Sequence, residues 1–163
     1  MSQRHPIISI TGSSGAGTST VRDTFAQIFF REKVNAAFIE GDAFHRFDRA
    51  EMKKRMAEAQ GNPANHFSHF GEEANEFALL EDVFKTYGET GNGRTRTYVH
   101  DDEEAEQWGC PPGTFTDWRS FEDDTDLLFY EGLHGAVATD RVDIARYADL
   151  KVGVVPVMNL EWI

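Results

Sequence analysis

A single cysteine, Cys110, serves the whole of this 163-residue chain. It cannot close an intramolecular disulfide, run a dithiol switch or build a cysteine-rich metal site, and it reads as a bystander. Long apolar runs are missing too, since no stretch approaches the ~20 residues of a membrane span. A short polar stub leads straight into the first apolar segment, without a secretory pattern. Positive charge is scarce: 16 Lys and Arg against 28 Asp and Glu give a formal net charge of -12, which argues against a nucleic-acid surface. These absences predict a cytoplasmic protein with neither membrane nor nucleic acid as partner. Any phosphate it binds must be met by a few locally concentrated cations.

The most telling absence is one lysine. Gly12, Ser13, Ser14, Gly15, Ala16, Gly17, Thr18, Ser19 and Thr20 follow the phosphate-loop pattern G-x-x-x-x-G-K-[ST] except that Thr18 stands where lysine belongs. The amide cradle depends on glycines and backbone N–H groups and survives the change, and Ser19 still offers the metal-binding hydroxyl. Neutralisation of a terminal phosphate must come from elsewhere. The context supports a working loop: residues 6–11 read as a buried strand. Val21, Phe25, Ile28 and Phe29 then form the apolar stripe of a helix over about 18–32. Strand, glycine loop and helix in that order form a phosphate site at a helix N-terminus.

A second strand over about 34–40 completes a βαβ unit with a parallel sheet, the mark of an α/β domain. Helices are predicted over about 46–59 and 73–87, the latter with Phe77, Leu80, Val83, Phe84 and Tyr87 on one face. Residues 88–125 read as an irregular or β-rich insertion, 126–131 as a short buried strand ending in Glu131, and 152–155 as another buried strand. The length suits one domain spanning 1–163. The apolar end at 159–163, with no cap or polar tail, suggests a piece of a longer protein.

At the second strand–helix junction, Asp42 lies where ligands bind in open α/β sheets. Asp42, His45, Arg46 and Arg49 would share a helix face if the following residues are helical. A carboxylate, an imidazole and guanidinium groups beside a nucleotide loop suit phosphoryl transfer to a phosphorylated alcohol; the plain alternative is an N-cap aspartate on a solvated helix. Glu131 reads as a metal-facing acid at a strand tip, or as a turn residue. Arg94 and Arg96 mark either an anion-contact segment or a solvated hairpin. His66 and His69 lack the further ligands a zinc site needs, so a structural or substrate-facing role is expected.

Together, G-S-S-G-A-G-T-S-T at 12–20, E-G-D-A-F-H-R-F at 40–47, Y-G-E-T-G-x-G-R-T-R-T-Y-V-H at 87–100 and L-L-F-Y-E-G-L-H-G at 127–135 closely resemble the bacterial phosphoribulokinase family. The resemblance implies a P-loop nucleoside-triphosphate-hydrolase-like fold with a mainly parallel sheet flanked by helices. It implies ATP-dependent phosphorylation of D-ribulose 5-phosphate at the 1-hydroxyl, with Mg²⁺ accompanying ATP. Residues 12–20 would bind ATP and Asp42 would be the general base. His45, Arg49, Tyr98 and His100 would bind the sugar phosphate, Ser19 and Glu131 would hold the metal, and Arg31 would serve effector response. The family also implies a homo-oligomer activated by NADH and inhibited by AMP. In the family a Lys/Arg/Asp-rich helix follows the N-L-E-W-I segment, so this chain alone is expected to bind nucleotide and turn over little. A uridine-kinase-like nucleoside kinase and a non-catalytic nucleotide-binding module remain as alternatives.

Overall fold

The computed structural model describes residues 5–13, 15–61 and 66–156. Ser14 of the loop and the segment 159–163 therefore lie outside the described residues. Four parallel strands form the main sheet in the order β2-β5-β1-β6: β1 (Ile7–Gly12), β2 (Ala36–Glu40), β5 (Leu127–Gly132) and β6 (Leu150–Val154). Between β1 and β2 runs α1 (Thr18–Glu32), on the bounds its apolar stripe predicts. A single 3-10 turn (Gly41–Phe44), α2 (Arg49–Gln60) and α3 (Phe77–Thr90) follow. The insertion holds a two-stranded ribbon of β3 (Arg94–Thr95) and β4 (Arg119–Ser120), with α4 (Asp102–Trp108) between them.

Strand β5 is central because it is apolar on both faces, as a strand covered by helices on each side must be. Leu127, Leu128, Phe129 and Tyr130 are all buried. Leu128 and Tyr130 point into a core shared with Phe84 and Tyr87 of α3, while Leu127 and Phe129 point into a core shared with Phe29 of α1. The two-residue period of a strand thus splits one apolar run between two cores. Phe129 lies 5.2 Å, 5.7 Å and 5.3 Å between ring centroids from Phe25, Phe29 and Phe38. Ile28, assigned to the same stripe, stays 38% exposed.

Residues 152–155 are not a buried strand: β6 pairs only with β1 among the described residues, and Leu150 and Val155 are exposed. The helix expected from about 46 starts at Arg49, because the Asp48 carboxylate accepts the Glu51 N–H at 2.8 Å and caps it there.

Arg96 ties the insertion to the turn that follows β2. It donates from Nε to the Ala43 carbonyl and from Nη2 to the His45 carbonyl, each at 2.8 Å, while its guanidinium stacks over Phe115 and Trp118. Those donors are spent on the backbone beside Asp42. Arg96 is a strut, neither a solvated hairpin residue nor an anion contact.

Urea unfolding should show Phe129→Ala costing about 3–5 kcal/mol. Phe30→Ala, at a site 89% exposed, should stay within about 0.5 kcal/mol of the parent. Arg96→Lys loses the planar two-donor fork and should cost roughly 1–3 kcal/mol, with faster amide hydrogen exchange at residues 41–46.

Candidate active site

At the tip of β1 the chain turns through the loop into α1. A Cβ at Gly12 would lie 2.7 Å from the Val154 carbonyl oxygen and 2.8 Å from the Thr18 methyl, so no side chain fits there. Gly17 caps α1 with a φ of 95°, a conformation reserved for glycine. No side chain caps α1 and no acid lies in its first turn, so its leading N–H groups stay open to an anion. Gly12, Ser13, Gly15, Thr18 and Ser19 line a cleft of about 500 Å³; Ala16, Gly17 and Thr20 are not part of its wall. Thr18 is itself buried and projects no charge.

The parallel register sets Glu40 at the end of β2 beside Glu131 near the end of β5, and both face this cleft. Arg22 of α1 donates from Nη1 to Glu40 at 2.7 Å and lines the same wall. Burial pushes the Glu40 carboxyl up; Arg22 opposes that rise and Glu131 reinforces it. Sequence reading missed Arg22, a cation in the cleft one helical turn beyond Thr18. Among the described residues no cluster of three or more His, Cys, Asp or Glu is arranged to hold a metal. The oxygen donors Ser19 and Glu131 on one wall fit a magnesium ion that completes its shell with phosphate oxygens and water, rather than an all-protein cage.

Asp42 sits in the tight turn after β2. Gly41 makes that turn possible, because a Cβ there would lie 2.7 Å from the Tyr130 hydroxyl and 3.1 Å from Gly132 Cα. Asp42 Oδ2 is 3.0 Å from His100 Nε2, and its Oδ1 is 3.7 Å from His45 Nε2. Burial holds His45 below its ordinary pKa; Asp42 opposes this, and His69, His134 and His100 add to it. Burial also disfavours a charged His100, but its hydrogen bonds to Asp42 and Glu104, with their charges, outweigh that and raise its pKa.

The shared helix face for Asp42, His45, Arg46 and Arg49 does not form. His45 is extended, with φ -61° and ψ 139°, and separates the turn from α2. Arg46 turns to Glu76, 3.2 Å away. Arg49 returns to the site as the first residue of α2, donating to the His100 carbonyl at 2.8 Å and the Tyr98 hydroxyl at 3.3 Å. The Asp42 carboxylate pairs with His100, and it is Asp48 that caps the helix.

A second cavity of about 440 Å³ shares Asp42, His45 and His69 with the first. Arg49, Lys53 and Tyr98 also line it. Arg49 and Lys53, four residues apart on α2, make a two-cation face that the spacing alone could have revealed. His69 faces both cavities, whereas His66 lines neither. Arg31 is exposed at the end of α1, bonds Glu32 at 2.8 Å and lines neither cavity. Among the described residues no helix is long and apolar enough to cross a membrane.

Residues 7–163 match the family model described as phosphoribulokinase / uridine kinase family. The chain is 68% identical over 163 residues to phosphoribulokinase of Nitrobacter vulgaris and 66% identical to phosphoribulokinase 1 of Cereibacter sphaeroides. All of this chain is covered in both cases, but only 56% of each relative. The phosphoribulokinase structure from Rhodobacter spheroides superposes with a TM-score of 0.84 at 60% identity, covering 98% of this chain and 54% of that one. A structure described as a possible uridine kinase from Bacillus stearothermophilus shares the fold with a TM-score of 0.61 at 15% identity, covering 99% of this chain and 76% of that one. With a matching model over almost its whole length, the chain belongs to the phosphoribulokinase / uridine kinase family.

Proposed function

We propose that this chain carries the nucleotide and acceptor sites of a phosphoribulokinase, which transfers the terminal phosphoryl group of ATP to the 1-hydroxyl of D-ribulose 5-phosphate and so makes the ribulose 1,5-bisphosphate that carbon fixation in the Calvin cycle consumes. The observation that carries the reading is the position of Asp42 on the wall common to the two cavities. ATP would lie with its phosphates over the loop amides and the open end of α1. The 5-phosphate would lie at the other end, against Arg49 and Lys53, which line the second cavity only. Two cations there suit a phosphorylated acceptor better than a nucleoside, above all in a chain of net charge -12.

Between them, Asp42 would accept the hydroxyl proton as the oxygen attacks phosphorus in line and ADP departs. His45, held neutral-leaning by its burial, and Tyr98 would border the sugar. Ser19 and Glu131 would hold magnesium, which when bound would offset negative charge on the phosphate oxygens. Arg22 would contribute positive potential on the nucleotide side, part of the role that Thr18 leaves open. The NADH and AMP response, its link to Arg31, the homo-oligomer and a cytoplasmic location belong to the same reading, supported by the high identity to phosphoribulokinases.

The chain spans 56% of its relatives' length, so the test uses the full-length protein. A coupled ADP-release assay should show ribulose 5-phosphate turned over and uridine not. Asp42→Asn should lower kcat by about 10²–10⁴-fold with ATP binding intact. Arg49→Ala should raise the KM for the sugar phosphate by about 10- to 100-fold, the worth of a charged hydrogen bond, without changing that for ATP. Undiminished turnover in Asp42→Asn, or preference for uridine, contradicts the proposal. The isolated 163-residue chain should bind MgATP and turn over little.

A further inference from the structure

His100 has a carboxylate at each ring nitrogen: Asp42 Oδ2 at 3.0 Å from Nε2 and Glu104 Oε2 at 3.2 Å from Nδ1. The same Glu104 oxygen accepts the His100 backbone N–H at 2.7 Å. Glu104 is anchored in turn, its own N–H donating at 3.0 Å to Asp101, the N-cap of α4. One carboxylate therefore fixes both the backbone and the ring of His100. Carboxylates only accept hydrogen bonds, so a neutral imidazole with one N–H satisfies one of them, and the doubly protonated ring satisfies both. On the far side, Asp42 Oδ1 is 3.7 Å from His45 Nε2, beyond hydrogen-bond distance. One oxygen of Asp42 is held and the other is open.

We infer that Glu104 is a positioning residue for phosphoryl transfer: it aims His100 Nε2 at one oxygen of Asp42 and so presents the other to the acceptor hydroxyl. The inference rests on Asp42 acting as the base. No part of it requires Glu104 to touch substrate; it works through the orientation and charge of the ring.

The groups facing that ring set its pH behaviour. They are Asp42 from the 3-10 turn, Glu104 from α4, Glu40 from the end of β2, His45, and Tyr98, whose ring centroid is 5.0 Å away. Arg49 of α2 bonds the His100 carbonyl rather than the ring. With its pKa raised, His100 keeps both carboxylates satisfied up to that higher pH and releases one of them above it. The neutral ring then divides its one N–H between Asp42 and Glu104, so activity should fall on the alkaline side as the grip on Asp42 weakens. Glu104→Gln keeps the side-chain length and an oxygen at the place that meets both the His100 backbone N–H and Nδ1–H. It removes only the charge that favours the doubly protonated ring.

In the full-length protein, kcat against pH and the titration of the His100 ring by ¹⁵N NMR are measured for the parent, Glu104→Gln and Asp42→Asn. The expected result is that Glu104→Gln moves the alkaline limb and the ring titration together to lower pH, leaving the thermal midpoint and the KM for ATP unchanged. A profile and ring titration superimposable on the parent's overturn the inference. So does a lowered thermal midpoint with an unmoved limb, the mark of a merely structural role. If Asp42→Asn is fully active, the base assignment itself fails, whatever Glu104→Gln does.

Discussion

The close contact between Gly41 and the β5 end governs the site. Strand β5 lies between β1 and β2, buried on both faces, and its register brings Glu131 level with Glu40 and Ile10. At the next step the chain leaving β2 passes so near Gly132 and the Tyr130 hydroxyl that only glycine fits at position 41. Tyr130 is fully buried, and burial holds its phenol protonated far above the ordinary range. Its hydroxyl accepts the His134 N–H at 3.1 Å, which fixes the far side of the same corner. The tight turn at Gly41–Phe44 and the outward position of Asp42 follow from this packing.

Electrostatics divide the mouth of the sheet into two ends. Arg22 meets Glu40 and Asp23 on the nucleotide side, and Arg49 and Lys53 line the other cavity. In a chain with 28 acids and 16 basic residues, that leaves cations concentrated at both ends of a cleft with carboxylates between them. Such an arrangement suits the proposed function, in which two phosphorylated molecules would be held apart with a proton acceptor at the junction. In the proposed function part of the missing lysine's duty would fall to Arg22, which is already engaged with Glu40 and is no simple replacement.

Much of this was legible in the residue order because it is local. The loop glycines, the apolar stripe of α1 and the buried run of β5 have short-range signatures, and the strand-end position of Asp42 follows from the βαβ pattern. The helical face drawn from Asp42 to Arg49 failed for a reason that periodicity does not carry. Gly41–Phe44 forms one tight turn, His45 is extended, and Asp48 starts a new helix. His100 and Asp42 are 58 residues apart, so their pairing is a product of the tertiary fold. Arg96 read as either an anion contact or a solvated hairpin residue because its role depends on two carbonyls more than 50 residues away. Arg22 and Lys53 belong to no motif; Lys53 could have been picked out by its spacing from Arg49, whereas the place of Arg22 in the cleft depends on the fold.

The central claim is that Asp42 stands between a nucleotide on the loop and a sugar phosphate on α2. A crystal structure of the full-length protein with magnesium, a non-hydrolysable ATP analogue and ribulose 5-phosphate tests it most directly. The account predicts the sugar's phosphate against Arg49 and Lys53, and its 1-hydroxyl within about 2.6–3.2 Å of the open Asp42 oxygen. A sugar phosphate bound with its phosphate at Arg22, or with no hydroxyl in reach of Asp42, contradicts it.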